Sequence, residues 1–208
     1  MSKYSHIKNL IFDLGNVVVD INLDITTKRF KHMGWQGKEN FLDKYQQASF
    51  FGDFEKGKIN SDEFINEIKG LTTKNNSSEE ITDAWNALIL DYKQERIECI
   101  LKLKEKYNIY LLSNTNPLHI SACENLVPIA GSLNNLFDKL YYSHEMKMHK
   151  PNAEIYTSLI EDSNILAEET LFLDDSELNI TSAKKLGIDG WHIDDSDAWV
   201  AKATKHLL

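Results

Sequence analysis

The sequence predicts an α/β fold: a parallel sheet flanked by helices, with a helical insertion after the first strand. Two observations predict it. Five short apolar runs, at residues 9–12, 109–112, 140–142, 170–173 and 190–193, are bounded by polar or turn residues, and helix-patterned segments lie between most of them. The stretch 21–90 reads differently, with aromatic residues on helix-like segments and no strand pattern. Strands that alternate with helices imply parallel pairing and right-handed crossovers.

The elements follow in order. Residues 9–12, NLIF, form a short apolar run of the kind buried on both faces of a parallel sheet. The insertion then carries Phe30, Trp35, Phe41, Tyr45, Phe50, Phe51, Phe54, Phe64 and Trp85. It is broken at FGDFEKGKINSDEF and TTKNNSSEE, where Asn60 or Ser61, and Ser77 or Ser78, can cap the helices that follow. Residues 91–107 place Ile97, Ile100, Leu101 and Lys104 at helical spacing. Residues 152–160 follow Pro151, a residue suited to a first helical turn, and residues 176–186 end at Gly187, a left-handed cap. Residues 199–208 close the chain as a helix on the core. The predicted division is a core of residues 1–20 and 91–208, with residues 21–90 inserted.

Bulk properties exclude several classes. With 208 residues, 42% of them hydrophobic, the chain can bury one well-formed domain and a modest insertion. Its 32 acidic against 23 basic residues, a net charge of -9, leave no basic tract for a nucleic-acid backbone or an anionic lipid surface. No nucleic acid and no membrane are expected as partners, whereas a small anionic substrate is compatible with a local metal ion. Cys99 and Cys123 have neither disulfide-framework nor zinc spacing. The first residues lack a signal-peptide pattern, and a cytoplasmic location is expected. The oligomeric state is open.

Three of the expected strands end in polar groups: Asp13, Ser113 with Asn114, and Asp174 with Asp175. Taken singly, each is an ordinary turn or cap residue. Taken together, they fall on the carboxyl edge of a parallel sheet, where ligands bind. Carboxylates crowded there repel one another unless a cation is present, and oxygen donors favour a hard ion such as Mg²⁺. Lys150, in HKPNAEIY, is a surface lysine on the commonest reading; next to Pro151 it can instead be aimed inward to balance the carboxylates.

The set FDLGNV, LLSNTN, the KP lysine and FLDD resembles the four ordered motifs of the haloacid dehalogenase-like hydrolase superfamily. The resemblance covers the whole chain and implies a Rossmann-like core with a C1-type cap at residues 21–90. FDLGNVVVD, FEKGKIN, Trp85 with Asn86, LLSNTNPLH and KPNAEIY further resemble the bacterial alpha-D-glucose-1-phosphate phosphatase branch. It implies a phosphatase in which Asp13 is the nucleophile that becomes an aspartyl phosphate. Ser113, the backbone N–H groups of Leu14, Gly15 and Asn114, and Lys150 then contact the transferring group. Mg²⁺ is implied to lie on Asp13, the Gly15 carbonyl and Asp175, with Asp174 acting through water. The implied substrate is a small sugar phosphate such as alpha-D-glucose 1-phosphate.

Gly15 stands where many members of this superfamily carry a second aspartate acting as general acid. The backbone carbonyl survives the replacement, but the proton donor does not, and a positioned acid is typically worth about 10²–10⁴ in rate. An anomeric oxygen leaves more easily than an ordinary alkoxide, which suits an acid-poor site. Asn16, Asp20, His119, His32, His144 and His149 are the nearby polar candidates, and none is assigned. Asp53, among Phe50, Phe51, Phe54 and Trp85, can bind hydroxyls or form a turn beside Gly52. Two other readings stay open: a metal-free haloacid dehalogenase, for which Asp174 and Asp175 have little use, and a non-catalytic phosphate-binding protein, supported by Gly15 alone.

Overall fold

The computed structural model describes residues 3–37 and 50–208. In chain order the elements are β1 (Asn9–Phe12), β2 (Val19–Ile21), α1 (Leu23–His32), α2 (Phe50–Glu55), α3 (Ser61–Gly70), α4 (Ser78–Asn86), β3 (Ile89–Tyr92) and α5 (Gln94–Lys104). They continue as β4 (Asn108–Ser113), α6 (Pro117–Cys123), α7 (Leu133–Leu136), β5 (Lys139–Tyr142), α8 (Ser143–Met146) and α9 (Ala153–Ser163). The last four are β6 (Thr170–Asp174), α10 (Glu177–Lys185), β7 (Asp189–His192) and α11 (Ala198–His206). Phe41 and Tyr45 lie outside the described residues.

Five strands form one parallel sheet in the order β5-β4-β1-β6-β7. Side chains alternate across it because successive residues of a strand point to opposite faces. Leu10 and Phe12 of β1 join the core that holds Ile97, Ile100 and Leu103 of α5 and Trp199 of α11. Ile11 lies on the other face with Ile155 and Tyr156 of α9 and Ile180 of α10. Both faces are thus covered, and the continuous apolar runs of the sequence follow from that. Phe12 pairs with Leu111 on one side and Leu173 on the other, so Asp13, Leu112 and Asp174 share one level at the carboxyl edge. The chain moves from β1 to β4 and β5 on one side and returns to β6 on the other, the crossover arrangement that opens a ligand crevice at this edge.

The insertion builds its own core. Phe30 of α1, Phe51 and Phe54 of α2, Phe64 and Ile68 of α3, and Ile81 and Trp85 of α4 are buried together. Asn60 and Ser77 are the N-caps of α3 and α4, each within a reciprocal capping box with Glu63 and Glu80. The absence of strand expected for residues 21–90 is corrected at both ends. Val19–Ile21 and Ile89–Tyr92 pair antiparallel as a two-stranded ribbon at the root of the insertion, which also puts Asp91 in a strand rather than a helix. Two local expectations change as well. Pro151 precedes the N-cap Asn152 instead of occupying the first turn of α9, and Gly52 lies inside α2 rather than in a turn. Among the described residues, no helix is long and apolar enough to cross a membrane.

A charge network ties the ribbon to the core. Arg96, whose side chain is 1% exposed, donates to Asp20 at 2.7 Å and to Asp197 at 3.0 Å, and Lys93 reaches both acids. Asp20 sits on the outgoing strand and Arg96 just beyond the returning one, so the pair holds both ends of the insertion against α11. Removing Asp20 leaves the buried guanidinium with one partner. Asp20→Ala is expected to lower unfolding stability by about 2 kcal/mol, the scale of a hydrogen bond to a charged group. The urea midpoint measures this, and an unchanged midpoint contradicts it.

Candidate active site

At the end of β1, Asp13 is 9% exposed, and its Oδ1 accepts from the backbone N–H of Leu14 at 2.7 Å. The Lys150 ammonium, 1% exposed, lies 2.8 Å from the same oxygen. It also donates to Asp174 Oδ2 at 2.7 Å and to the Leu112 carbonyl at 2.9 Å. The surface reading of Lys150 is therefore set aside, because the lysine bridges two buried carboxylates. Asp174 is fully buried and saturated with donors: Ser176 N–H at 2.7 Å and the Asn179 amide at 2.9 and 3.0 Å, besides Lys150.

Asp13, Asp174 and Asp175 each offer an oxygen within 4.8 Å of the others. Asp175 Oδ2 accepts from Asn16 Nδ2 at 3.1 Å, and Asn16 Oδ1 accepts the Ile21 N–H at 3.2 Å. Gly15, between Asp13 and Asn16, makes an isolated bridge with Val19 that fixes the turn. This all-oxygen donor set fits a hard divalent cation such as Mg²⁺. Asp13, Asp175 and the Gly15 carbonyl would hold it, and Asp174, whose oxygens are already bonded, would act through water.

Ser113 is buried at the end of β4 and pairs with Tyr142 in β5. The Asn114 side chain grips the backbone of Lys150, its Oδ1 accepting the Lys150 N–H at 2.9 Å and its Nδ2 donating to the Lys150 carbonyl at 3.0 Å. Composition and motif gave no hint of that clamp. Asn179 was missed too, although its signal is visible afterwards: a polar residue on the inward face of a helix that also presents Ile180 and Ala183.

Burial pushes the Asp13 carboxyl above its ordinary range, and the neighbouring Asp174 and Asp175 add to the rise against the pull of Lys150. Burial lowers the Lys150 ammonium, but Asp13 and Asp174 outweigh it and the net shift is upward. All but one of the candidates for the missing acid are engaged elsewhere. Asn16 holds Asp175, and Asp20 is paired with Arg96. His119 stacks on Trp85 at 4.7 Å and hydrogen-bonds the Trp85 carbonyl and Asn116; burial pushes it down to about 4. His144 donates to the Thr115 carbonyl, His32 is exposed at the end of α1, and His149 faces Glu55. Asp53 pairs with Lys58 at 3.0 Å.

The sequence of the haloacid dehalogenase-like hydrolase family matches residues 10–192, spanning every element that carries these groups. The chain belongs to the haloacid dehalogenase-like hydrolases. A D-ribitol-5-phosphate phosphatase of Bacteroides thetaiotaomicron is 36% identical over 200 residues, covering 95% of this chain and 97% of the relative. A solved haloacid dehalogenase family enzyme from the same organism, in complex with magnesium and inorganic phosphate, superposes with a TM-score of 0.82 at 39% identity, over 89% of this chain and 93% of that one. A family hydrolase from Porphyromonas gingivalis superposes with a TM-score of 0.87 at 30% identity, over 97% and 98% of the two chains.

The electrostatics of this hydrolase generate a pH test. The folded chain without metal keeps a proton on Asp13 at pH values where the unfolded chain has lost it. That preference stabilises fully below the ordinary carboxylate value of about 4 and fades as pH rises through the folded value. A cation needs the ionised form and so competes with the proton on the acid side. Mg²⁺ is expected to raise the thermal midpoint more at pH 8 than at pH 5; equal gains at both contradict the arrangement.

Proposed function

We propose that this chain is a Mg²⁺-dependent phosphatase of small sugar or polyol phosphates that carries the phosphoryl group on Asp13. The observation that supports it is the bridge from Lys150 to Asp13 at 2.8 Å and to Asp174 at 2.7 Å, beside Asp175, at the carboxyl edge of the sheet. A double carboxylate next to the nucleophile weighs against a metal-free dehalogenase. Residues 21–90 act as the cap over the core formed by residues 1–20 and 91–208.

The Leu14 N–H and the Lys150 ammonium both engage Asp13 Oδ1, so Oδ2 is the oxygen assigned to attack phosphorus. The P–O bond to the sugar or polyol oxygen breaks, and that oxygen takes up a proton from water. Water then attacks phosphorus, the bond to Asp13 breaks, and phosphate leaves with the carboxylate restored. Lys150 neutralises charge on the transferring group, while the Ser113 hydroxyl and the backbone N–H groups of Leu14, Gly15 and Asn114 bind its oxygens. Bound Mg²⁺ supplies further positive charge against the phosphoryl oxygens.

D-ribitol 5-phosphate is the first substrate to test, because a relative matched over nearly the whole chain is named for it. Alpha-D-glucose 1-phosphate is the second, because its anomeric oxygen leaves without strong acid assistance. Phosphate release from both with Mg²⁺, native protein against Asp13→Asn, tests the reading. Release by the native protein alone supports it, and equal inertness on a broad panel of esters overturns it.

The leaving group gives a sharper test. A Cβ at position 15 would stand 3.1 Å from Ile21 Cδ1, the movable end of a side chain, so an aspartate fits after a small shift. Gly15→Asp is expected to raise kcat on D-ribitol 5-phosphate by about 10²-fold. An aryl phosphate, whose leaving group needs no proton, gains little. Equal gains on both contradict the assignment of position 15 to proton transfer.

A further inference from the structure

Among the described residues, the insertion touches the core close to Lys150 at residues 55–57. The Ser143 hydroxyl donates to the Glu55 carbonyl at 2.6 Å, and Lys147 donates to the Gly57 carbonyl at 2.7 Å. Gly57 has φ +57, and a Cβ there would lie 2.2 Å from the His144 carbonyl oxygen. Only glycine lets the two backbones approach so closely. The third contact joins two side chains: Glu55 Oε2 is 2.9 Å from His149 Nε2, with the histidine side chain 4% exposed.

His149 carries the contact into the site. Its Nδ1 is 2.5 Å from the Lys150 carbonyl, an atom that can only accept. Nδ1 therefore donates there, beside the bond from Asn114 Nδ2 at 3.0 Å, with that same Nδ2 lying 3.1 Å from His149 Nδ1. Asn114 in turn accepts the Lys150 N–H, and the Lys150 ammonium spans Asp13 and Asp174. A line of direct contacts thus runs from the insertion to the carboxylate assigned to attack.

We propose that Glu55 is a positioning residue: when the cap sits on the core, its carboxylate orients His149, which with Asn114 fixes the backbone of Lys150 and aims the ammonium. This rests on the phosphatase reading. The lysine is then fully set only with the insertion docked, so closing over a substrate and completing the phosphate site are one event. An ordinary interface ion pair would stabilise the docked insertion without touching the chemistry.

The test uses the full chain with Mg²⁺, D-ribitol 5-phosphate or whichever ester the native protein hydrolyses, and inorganic phosphate as a competing ligand. Glu55→Ala and His149→Ala are each expected to lower kcat about tenfold, the cost of a slightly misplaced group, and to weaken inhibition by inorganic phosphate. The double variant loses no more than the worse single one, because both act along one line. Glu55→Gln, which keeps an oxygen for His149 Nε2, returns most of the activity. Native kcat and phosphate inhibition in Glu55→Ala, or losses that multiply in the double variant, overturn the proposal. If the native protein hydrolyses no ester, the phosphatase reading fails on its own, and the affinity for inorganic phosphate with Mg²⁺ still tests the positioning. Weaker phosphate binding in both alanine variants supports it; native affinity overturns it.

Discussion

Buried positive charge on Lys150 is the interaction around which the rest of the site is arranged. Asp13 and Asp174 stand at the ends of neighbouring strands, level with one another and almost without water, and two bare carboxylates in that position would repel at high cost. The ammonium between them, at 2.8 and 2.7 Å, makes the convergence of β1 and β6 tolerable. Everything nearby serves to hold that geometry. Asn179 and the Ser176 N–H complete Asp174, Asn114 grips the lysine backbone, and Asn16 turns Asp175 toward the cluster. The same features that make the site costly to fold pre-arrange it for a phosphoryl group, since the charge is in place before a substrate arrives.

The parallel sheet could be read from the chain because strands buried on both faces must be apolar at every position, and such runs stand out among polar helices. Asp13, Ser113, Asp174 and Asp175 were legible for a related reason: each ends one of those runs, and parallel strands put their carboxyl ends on one edge. The ribbon of β2 and β3 was not legible. Its strands are only three and four residues long and half exposed, so neither alternation nor an unbroken apolar run marks them. Asn179, Glu55 and the side-chain clamp of Asn114 on Lys150 escaped because their partners are set by folding rather than by spacing. Glu55 and His149 are ninety-four residues apart, and nothing local to either names the other.

Gly15 narrows the chemistry without removing it. The Asp13 carboxyl, the lysine and the oxygen donors for a cation are all present, and of the groups weighed as a substitute proton donor, Asp20, His119, His144 and His149 are bonded elsewhere in the fold and His32 is exposed at the end of α1. In the proposed mechanism, leaving-group basicity is therefore the quantity on which substrate choice turns. In the proposed reading the insertion, with its own aromatic core and its contact through Glu55, supplies the other half of that choice by deciding what closes over the site.

The central claim is that Asp13 itself carries the phosphoryl group, and trapping it there tests the claim most directly. Acid quenching during steady turnover, followed by peptide mass spectrometry, should find the mass of one phosphoryl group on the peptide containing residue 13 and on no other. Full turnover with that peptide unmodified at every quench time, or the added mass on a different peptide, would contradict the account.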